Sequence, residues 1–193
     1  DFPAARVEKR VEAVFRDVFG DNLSGRAYLM MLQTKRHLSD YFERCQAAIV
    51  REAQAGGNSI RILALERTHA ITRSGFSLSA RFDRLETRGE DLFVLDYKTS
   101  ADALKYGIRW DKLMLDDRAS WQKAVASLQM PLYAILAAEL HGKTAGDIQG
   151  RFVMLGKSRM GPEIEVSPYD AKDGRKDVTP EKRAAWIAEI AGL

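Results

Sequence analysis

Hydrophobic positions change their spacing along the chain, from a helical period to a strand period and back. Apolar residues recur every three or four positions up to about residue 54, then at every second position, and the helical period returns after about residue 120. The pattern predicts helices over residues 3–19, 26–54 and 121–142 and from Thr179 onwards, and strands over residues 60–71, 75–86, 92–98 and 147–156.

The connections between the predicted strands indicate the topology. The short turns "RSG" and "TRGED" join the first three strands, which favours an antiparallel meander, whereas a helix precedes the fourth strand and favours a crossover. Pro131 lies inside the predicted helix 121–142, so this helix either kinks there or starts later than its pattern. The sequence therefore predicts an α/β fold with a mixed sheet flanked by helices.

Composition fits one folded domain and excludes several kinds of site. The chain has 193 residues, of which 46% are hydrophobic and 30% charged, and its net charge of +3 permits a polyanionic partner without requiring one. A single cysteine, Cys45, excludes an internal disulfide, a four-cysteine zinc site and a four-cysteine iron–sulfur cluster. Neither a membrane span nor a secretion signal is recognisable, so we expect a cytoplasmic protein.

The third predicted strand ends on two charged residues, which indicates a functional site there. Asp96 and Lys98 follow the apolar run "LFVL" and share one face of the strand, although burying charges costs free energy. If the hairpin folds about Gly89, Asp83 lies roughly opposite Asp96, with Cβ atoms about 4.5–5.5 Å apart. Two carboxylates at that distance repel each other unless a cation lies between them. A hard ion such as Mg²⁺ prefers these oxygen ligands.

A plainer interpretation fits the same residues. Acidic and basic side chains two residues apart are common on exposed strand faces, and Asp83 could form surface ion pairs with Arg81 or Arg84. The residues alone leave both interpretations open.

Three stretches in order resemble a known family. "GFSLSARFDRLE" (75–86), "LFVLDYKTS" (92–100) and "SLQMPLYA" (127–134) are similar to the motifs of the RecB-like branch of the PD-(D/E)XK nucleases. The resemblance covers roughly residues 60–156 and looks closest to nuclease domains of AddB-type helicase–nuclease subunits and of RecB-family exonucleases. It implies a restriction-endonuclease-like core.

The resemblance also implies roles for the charged residues. Asp83 and Asp96 would be metal ligands, with the Tyr97 backbone carbonyl as a further ligand, and the ion would be Mg²⁺ or Mn²⁺. Lys98 would be the catalytic lysine.

The resemblance also gives roles to three further residues. Gln129 and Tyr133 correspond to the family's helical Gln-x-x-x-Tyr motif, and residues four apart share one helix face. Glu66 lies on the first strand where such nucleases often carry a glutamate, which makes it a possible additional metal ligand.

Two features depart from the family pattern. The histidine motif Gly…His…Leu-Glu expected upstream of the sheet is not found, since His37 has different neighbours, and no iron–sulfur cluster can be held. We expect a single nuclease-like domain over residues 1–193, cut from a longer chain, with a helical part (1–55), a catalytic core (60–156) and an extension ending in a helix (157–193).

A basic segment with aromatic residues follows the third strand. Positive charges interleaved with rings can hold nucleic acid by neutralising phosphates and stacking on bases. The segment 105–118 interleaves Lys105, Arg109 and Lys112 with the rings of Tyr106 and Trp110, and Lys157 and Arg159 would extend a basic rim.

These observations lead to a leading function and two alternatives. The leading hypothesis is a metal-dependent DNA nuclease, exonucleolytic, acting in DNA repair or recombination beside a helicase subunit or helicase domain. The first alternative is a catalytically inactive DNA-binding or scaffolding module of a helicase–nuclease complex, which the missing histidine motif favours. The second is a restriction-type endonuclease, since the core is shared.

Overall fold

A five-stranded mixed sheet forms the centre of the molecule. The computed structural model describes residues 4–73, 75–109, 112–114, 116–168, 181 and 184–188. The strands are β1 (Ile60–Arg73), β2 (Phe76–Arg88), β3 (Asp91–Lys98), β4 (Ile148–Met154) and β5 (Glu165–Val166), adjacent in that order. All neighbours are antiparallel except β3 and β4, which are parallel. The predicted α/β fold with a meander and a crossover is confirmed, and the two-residue β5 was not predicted.

Helical segments pack on both faces of this sheet, and the chain has five described α-helices. They are α1 (Ala4–Phe19), α2 (Gly25–Asp40), α3 (Ala47–Ala55), α4 (Arg118–Ala124) and α5 (Gln129–His141). Leu92 and Val94 of β3 pack in the cluster that contains α5, whereas Leu95 packs in the cluster that contains Cys45. None of the described helices combines the length and apolar character that a membrane span requires.

The prediction of one helix over residues 26–54 is wrong in one respect, because a π-helical turn (Tyr41–Gln46) separates α2 from α3. Tyr41, Cys45 and Ile49 are all buried against the sheet. Residues four apart drift by about 40° per step around an α-helix of 3.6 residues per turn, and the wider π turn reduces that drift. Burial raises the pKa of Cys45 to about 12, so its thiol is a neutral packing group.

Pro131 marks a later helix start. The chain is extended at Val125 after α4, and α5 begins at Gln129, so Pro131 lies in the first turn of α5, where its missing N–H leaves no helical hydrogen bond unmade. At the C-terminus, the predicted N-cap Thr179 lies outside the described residues. Residues 181 and 184–188 are helical, and Ile187 packs in the α5 core.

Gly156 permits a close crossing of two segments that leave the sheet. A β-carbon at this position would overlap the Thr99 carbonyl and stand 2.6 Å from the Ala101 nitrogen, directly after the strand that carries Lys98. Both neighbours are backbone atoms, so the overlap cannot be relieved by turning a side chain.

We therefore expect Gly156→Ala to lower the free energy of unfolding by about 1–3 kcal/mol, as overpacking does. Gly107→Ala is the matched control, because a β-carbon there meets no atom within 4 Å. Urea denaturation of the two variants measures the difference. Equal stability of both variants would show that the crossing tolerates a side chain.

Candidate active site

The antiparallel pairing of β2 with β3 brings two carboxylates together. The described ladder ends with Arg84 opposite Leu95, so Asp83 and Asp96 are the next residues on each strand. Asp83 Oδ2 accepts a hydrogen bond of 2.8 Å from the backbone N–H of Tyr97, which holds its carboxylate against β3 beside Asp96. The sequence pattern had predicted this juxtaposition.

Asp96 is a buried carboxylate surrounded by donors. Its side chain is 4% exposed, Oδ1 accepts from Gln129 Nε2 at 2.7 Å, and Oδ2 lies 2.6 Å from Lys98 Nζ without a well-aligned hydrogen bond. Burial raises the pKa of Asp96, and the nearby charge of Asp83 adds to that rise, while Lys98 and Gln129 oppose it. The carboxylate is therefore placed where a further positive charge would stabilise it.

The Gln129 amide connects Asp96, Lys98 and Tyr133. Its Oε1 accepts from Lys98 Nζ at 2.8 Å, while Nε2 donates to Asp96 and, at 2.9 Å, to Tyr133 Oη. Tyr133 Oη in turn donates to the Arg81 carbonyl of β2 at 3.1 Å. Gln129 and Tyr133, one turn apart at the start of α5, thus contact both strands that carry the acids.

Glu66 is placed differently from the two aspartates. It has a left-handed φ of 51° inside β1, at a gap in the β1–β2 ladder between Leu65–Arg84 and Arg67–Phe82. Its side chain is 58% exposed, and its carboxylate pairs with Arg81 Nε at 2.9 Å. Among the described residues no three His, Cys, Asp or Glu side chains cluster closely enough to hold a metal, so Glu66 does not form a three-acid group with Asp83 and Asp96 here.

The plainer interpretation, in which Asp83 forms surface ion pairs with Arg81 or Arg84, is wrong, because both arginines pair with other residues. Arg81 pairs with Glu66, and Arg84 pairs with the buried Glu86 on the opposite face of β2. Asp83 accepts instead from the backbone of the strand that carries Asp96 and Lys98.

Comparison with known proteins decides the family. A family model described as the PD-(D/E)XK nuclease superfamily matches residues 3–193. The chain belongs to the PD-(D/E)XK nuclease superfamily. No curated protein and no solved structure matches it. Membership confirms the superfamily that the three motifs resembled, whereas the RecB-like branch stays a prediction.

The acidic residues of this PD-(D/E)XK nuclease fit a hard divalent ion. Members of the superfamily generally use Mg²⁺ or Mn²⁺, and such ions bind through one or two carboxylates, with water and substrate phosphate as the other ligands. Asp83 and Asp96 supply two adjacent carboxylates, and Asp96 Oδ2 lacks an aligned hydrogen-bond donor. The donor set therefore suits the ion, and the Tyr97 carbonyl stays a predicted ligand.

The predicted DNA-binding segment lies partly within the described residues. Lys105, Arg109 and Lys112 are exposed between β3 and α4, whereas Trp110 lies outside the described residues. Lys157 donates to the Glu163 carbonyl at 3.2 Å, and Arg159 is exposed. Contact of these side chains with DNA stays a prediction.

Sequence reasoning missed a buried charge network on the opposite face of the sheet. Arg88 forms two bonds of 2.8 Å to Glu165 and one of 2.8 Å to Glu86, which also pairs with Arg84. Arg84 Nη1 donates to Gln46 of the π-helical turn at 2.8 Å. The network joins β2, β5 and the helical layer. Its signal in the sequence was the spacing of Arg84, Glu86 and Arg88, every second residue of one strand.

Removing one charge from this network is expected to lower folding stability more than removing both charges of a pair. Glu86→Leu leaves Arg84 buried without its carboxylate, and breaking such a pair costs about 3–5 kcal/mol of folding stability. The double change Arg84→Met with Glu86→Leu removes both charges and is expected to restore part of the loss. Urea denaturation measures both, with Glu43→Leu at an exposed site as the control. A double variant less stable than Glu86→Leu would contradict the expectation.

Proposed function

We propose that this chain is a Mg²⁺- or Mn²⁺-dependent DNA nuclease that hydrolyses phosphodiester bonds. The observation that supports it is the junction of β2 and β3, where the Asp83 carboxylate lies beside Asp96 and Lys98 Nζ is 2.6 Å from Asp96. We place the chain in the RecB-like branch, acting as an exonuclease in cytoplasmic DNA repair or recombination beside a helicase subunit or domain.

Asp83 and Asp96 would hold the ion, with the Tyr97 carbonyl as a further ligand and Glu66 as a possible additional one. A bound divalent ion supplies Lewis acidity at the scissile phosphate and makes the attacking water more acidic. The buried position of Asp96 favours this arrangement, because a carboxylate out of bulk water gains more from a nearby cation.

Lys98 would act on the phosphate or on the attacking water. Its ammonium group can offset the negative charge that develops on phosphorus, or orient the water for attack. Gln129 fixes Lys98 relative to Asp96, since one amide contacts both, and Tyr133 fixes Gln129. Water would attack phosphorus directly, the P–O bond to the leaving nucleotide would break, and no covalent intermediate would form.

The substrate would reach this site across the segment that follows β3. Lys105, Arg109 and Lys112 are exposed cations suited to backbone phosphates, and they are proposed DNA contacts together with Trp110. Binding through these residues is expected to weaken as salt concentration rises.

One observation favours the alternative of a catalytically inactive DNA-binding or scaffolding module of a helicase–nuclease complex. The described residues hold two acids at the site and no third, and Gln129 and Lys98 already lie 2.7 Å and 2.6 Å from the Asp96 carboxylate oxygens. Salt-sensitive DNA binding without cleavage in any divalent metal would support this alternative.

The direct test is degradation of end-labelled linear DNA with Mg²⁺, with Mn²⁺ and with a chelator. We expect Asp96→Asn and Lys98→Met to lower the cleavage rate by at least about a hundredfold, the loss typical when an electrostatic contact to the transition state is removed. Asp17→Asn and Lys9→Met make the same changes on the exposed surface of α1 and serve as matched controls.

Equal cleavage by the wild type and both site variants would remove Asp96 and Lys98 from the mechanism. Closed circular DNA separates the modes of action, since an exonuclease leaves it intact. Cutting of the circle would indicate the restriction-type endonuclease instead.

A further inference from the structure

Lys98 lies in a corner formed by two aromatic rings. Its Nζ is 5.0 Å from the ring centroid of Tyr106 and 5.5 Å from that of Phe152, and the two centroids are 5.3 Å apart. The lysine side chain is 18% exposed. The two rings, Asp96 and Gln129 therefore all lie around the ammonium group.

Both rings are held by the fold. Phe152 is buried in β4, directly beside Asp96 in the parallel register. Tyr106 is half-buried against the α5 core, immediately before a short pairing of residues 107–109 with residues 124–126. In that pairing Arg109 N–H donates to the Ala124 carbonyl at 2.8 Å and Ala126 N–H donates to the Gly107 carbonyl at 3.2 Å.

An aromatic face suits this position for a physical reason. The ring quadrupole attracts a cation within about 6 Å of the centroid, and the attraction grows as water is excluded. The ring does not need a conventional hydrogen bond to do so. The three N–H groups of Lys98 therefore remain available for Asp96, Gln129 and a substrate oxygen.

We propose that Tyr106 is a positioning residue that holds the Lys98 ammonium at the site through its ring face. The role in turnover rests on the proposed nuclease function, whereas the contact itself does not. Tyr106 belongs to the segment predicted to bind DNA. Its ring would therefore contact Lys98 instead of stacking on a base.

The test uses two substitutions at one position. Tyr106→Phe keeps the ring, and Tyr106→Leu keeps an apolar side chain without it; Tyr28→Leu, at an exposed tyrosine of α2, is the control. Spectra of protein with ¹³C-labelled lysine report the ε-protons of Lys98, assigned with Lys98→Arg, because protons above a ring face resonate upfield. Nuclease assays give kcat and KM separately.

We expect the upfield Lys98 signal in the wild type, in Tyr106→Phe and in Tyr28→Leu, and its movement towards exposed lysines in Tyr106→Leu. Only Tyr106→Leu should lose kcat, by about tenfold at an unchanged KM for DNA. The proposal is overturned by a Lys98 signal that does not respond to Tyr106→Leu, by an unchanged kcat, or by a rise in KM alone, which would indicate base stacking. A wild type that cleaves no DNA would overturn the proposed function, while the spectrum would still decide whether ring and amine are in contact.

Discussion

The pairing of β2 with β3 places two carboxylates at adjacent positions. The other residues of the site offset the resulting repulsion. Asp83 is held by the Tyr97 N–H, and Asp96 is almost fully buried next to it. Like charges in a partly buried place are unfavourable unless positive charge or hydrogen-bond donors approach them. Lys98 and Gln129 supply part of this compensation, and a hard divalent ion would supply the remainder.

The candidate site and the buried charge network lie on opposite faces of the sheet. The α5 face carries Asp96, Lys98 and the amide of Gln129, whereas the opposite face buries the network around Glu86. Tyr97 contacts both, because its N–H donates to Asp83 while its hydroxyl lies 3.4 Å from Arg84 Nη1. Site residues carried by paired strands and a packed helix are held more precisely than residues on loops.

Local patterns in the sequence predicted the positions of the central residues of this arrangement, whereas their roles came from the family resemblance. Strand alternation and the turn at Gly89, where φ is 62°, place Asp83 beside Asp96, and helical spacing places Gln129 with Tyr133. Contacts between distant segments were not accessible, since the position of Phe152 beside Asp96 depends on the register of a parallel strand. The left-handed φ of Glu66 also left no signal in the pattern.

Calorimetric titration of the DNA-free protein with Mn²⁺ tests most directly whether Asp83 and Asp96 share one hard cation. The wild type and the surface variant Asp17→Asn are expected to bind one ion. Asp83→Asn, which keeps the size of the side chain but removes its charge, is expected to lose most of that binding. Unchanged Mn²⁺ affinity in Asp83→Asn, or no binding by the wild type, would contradict the account.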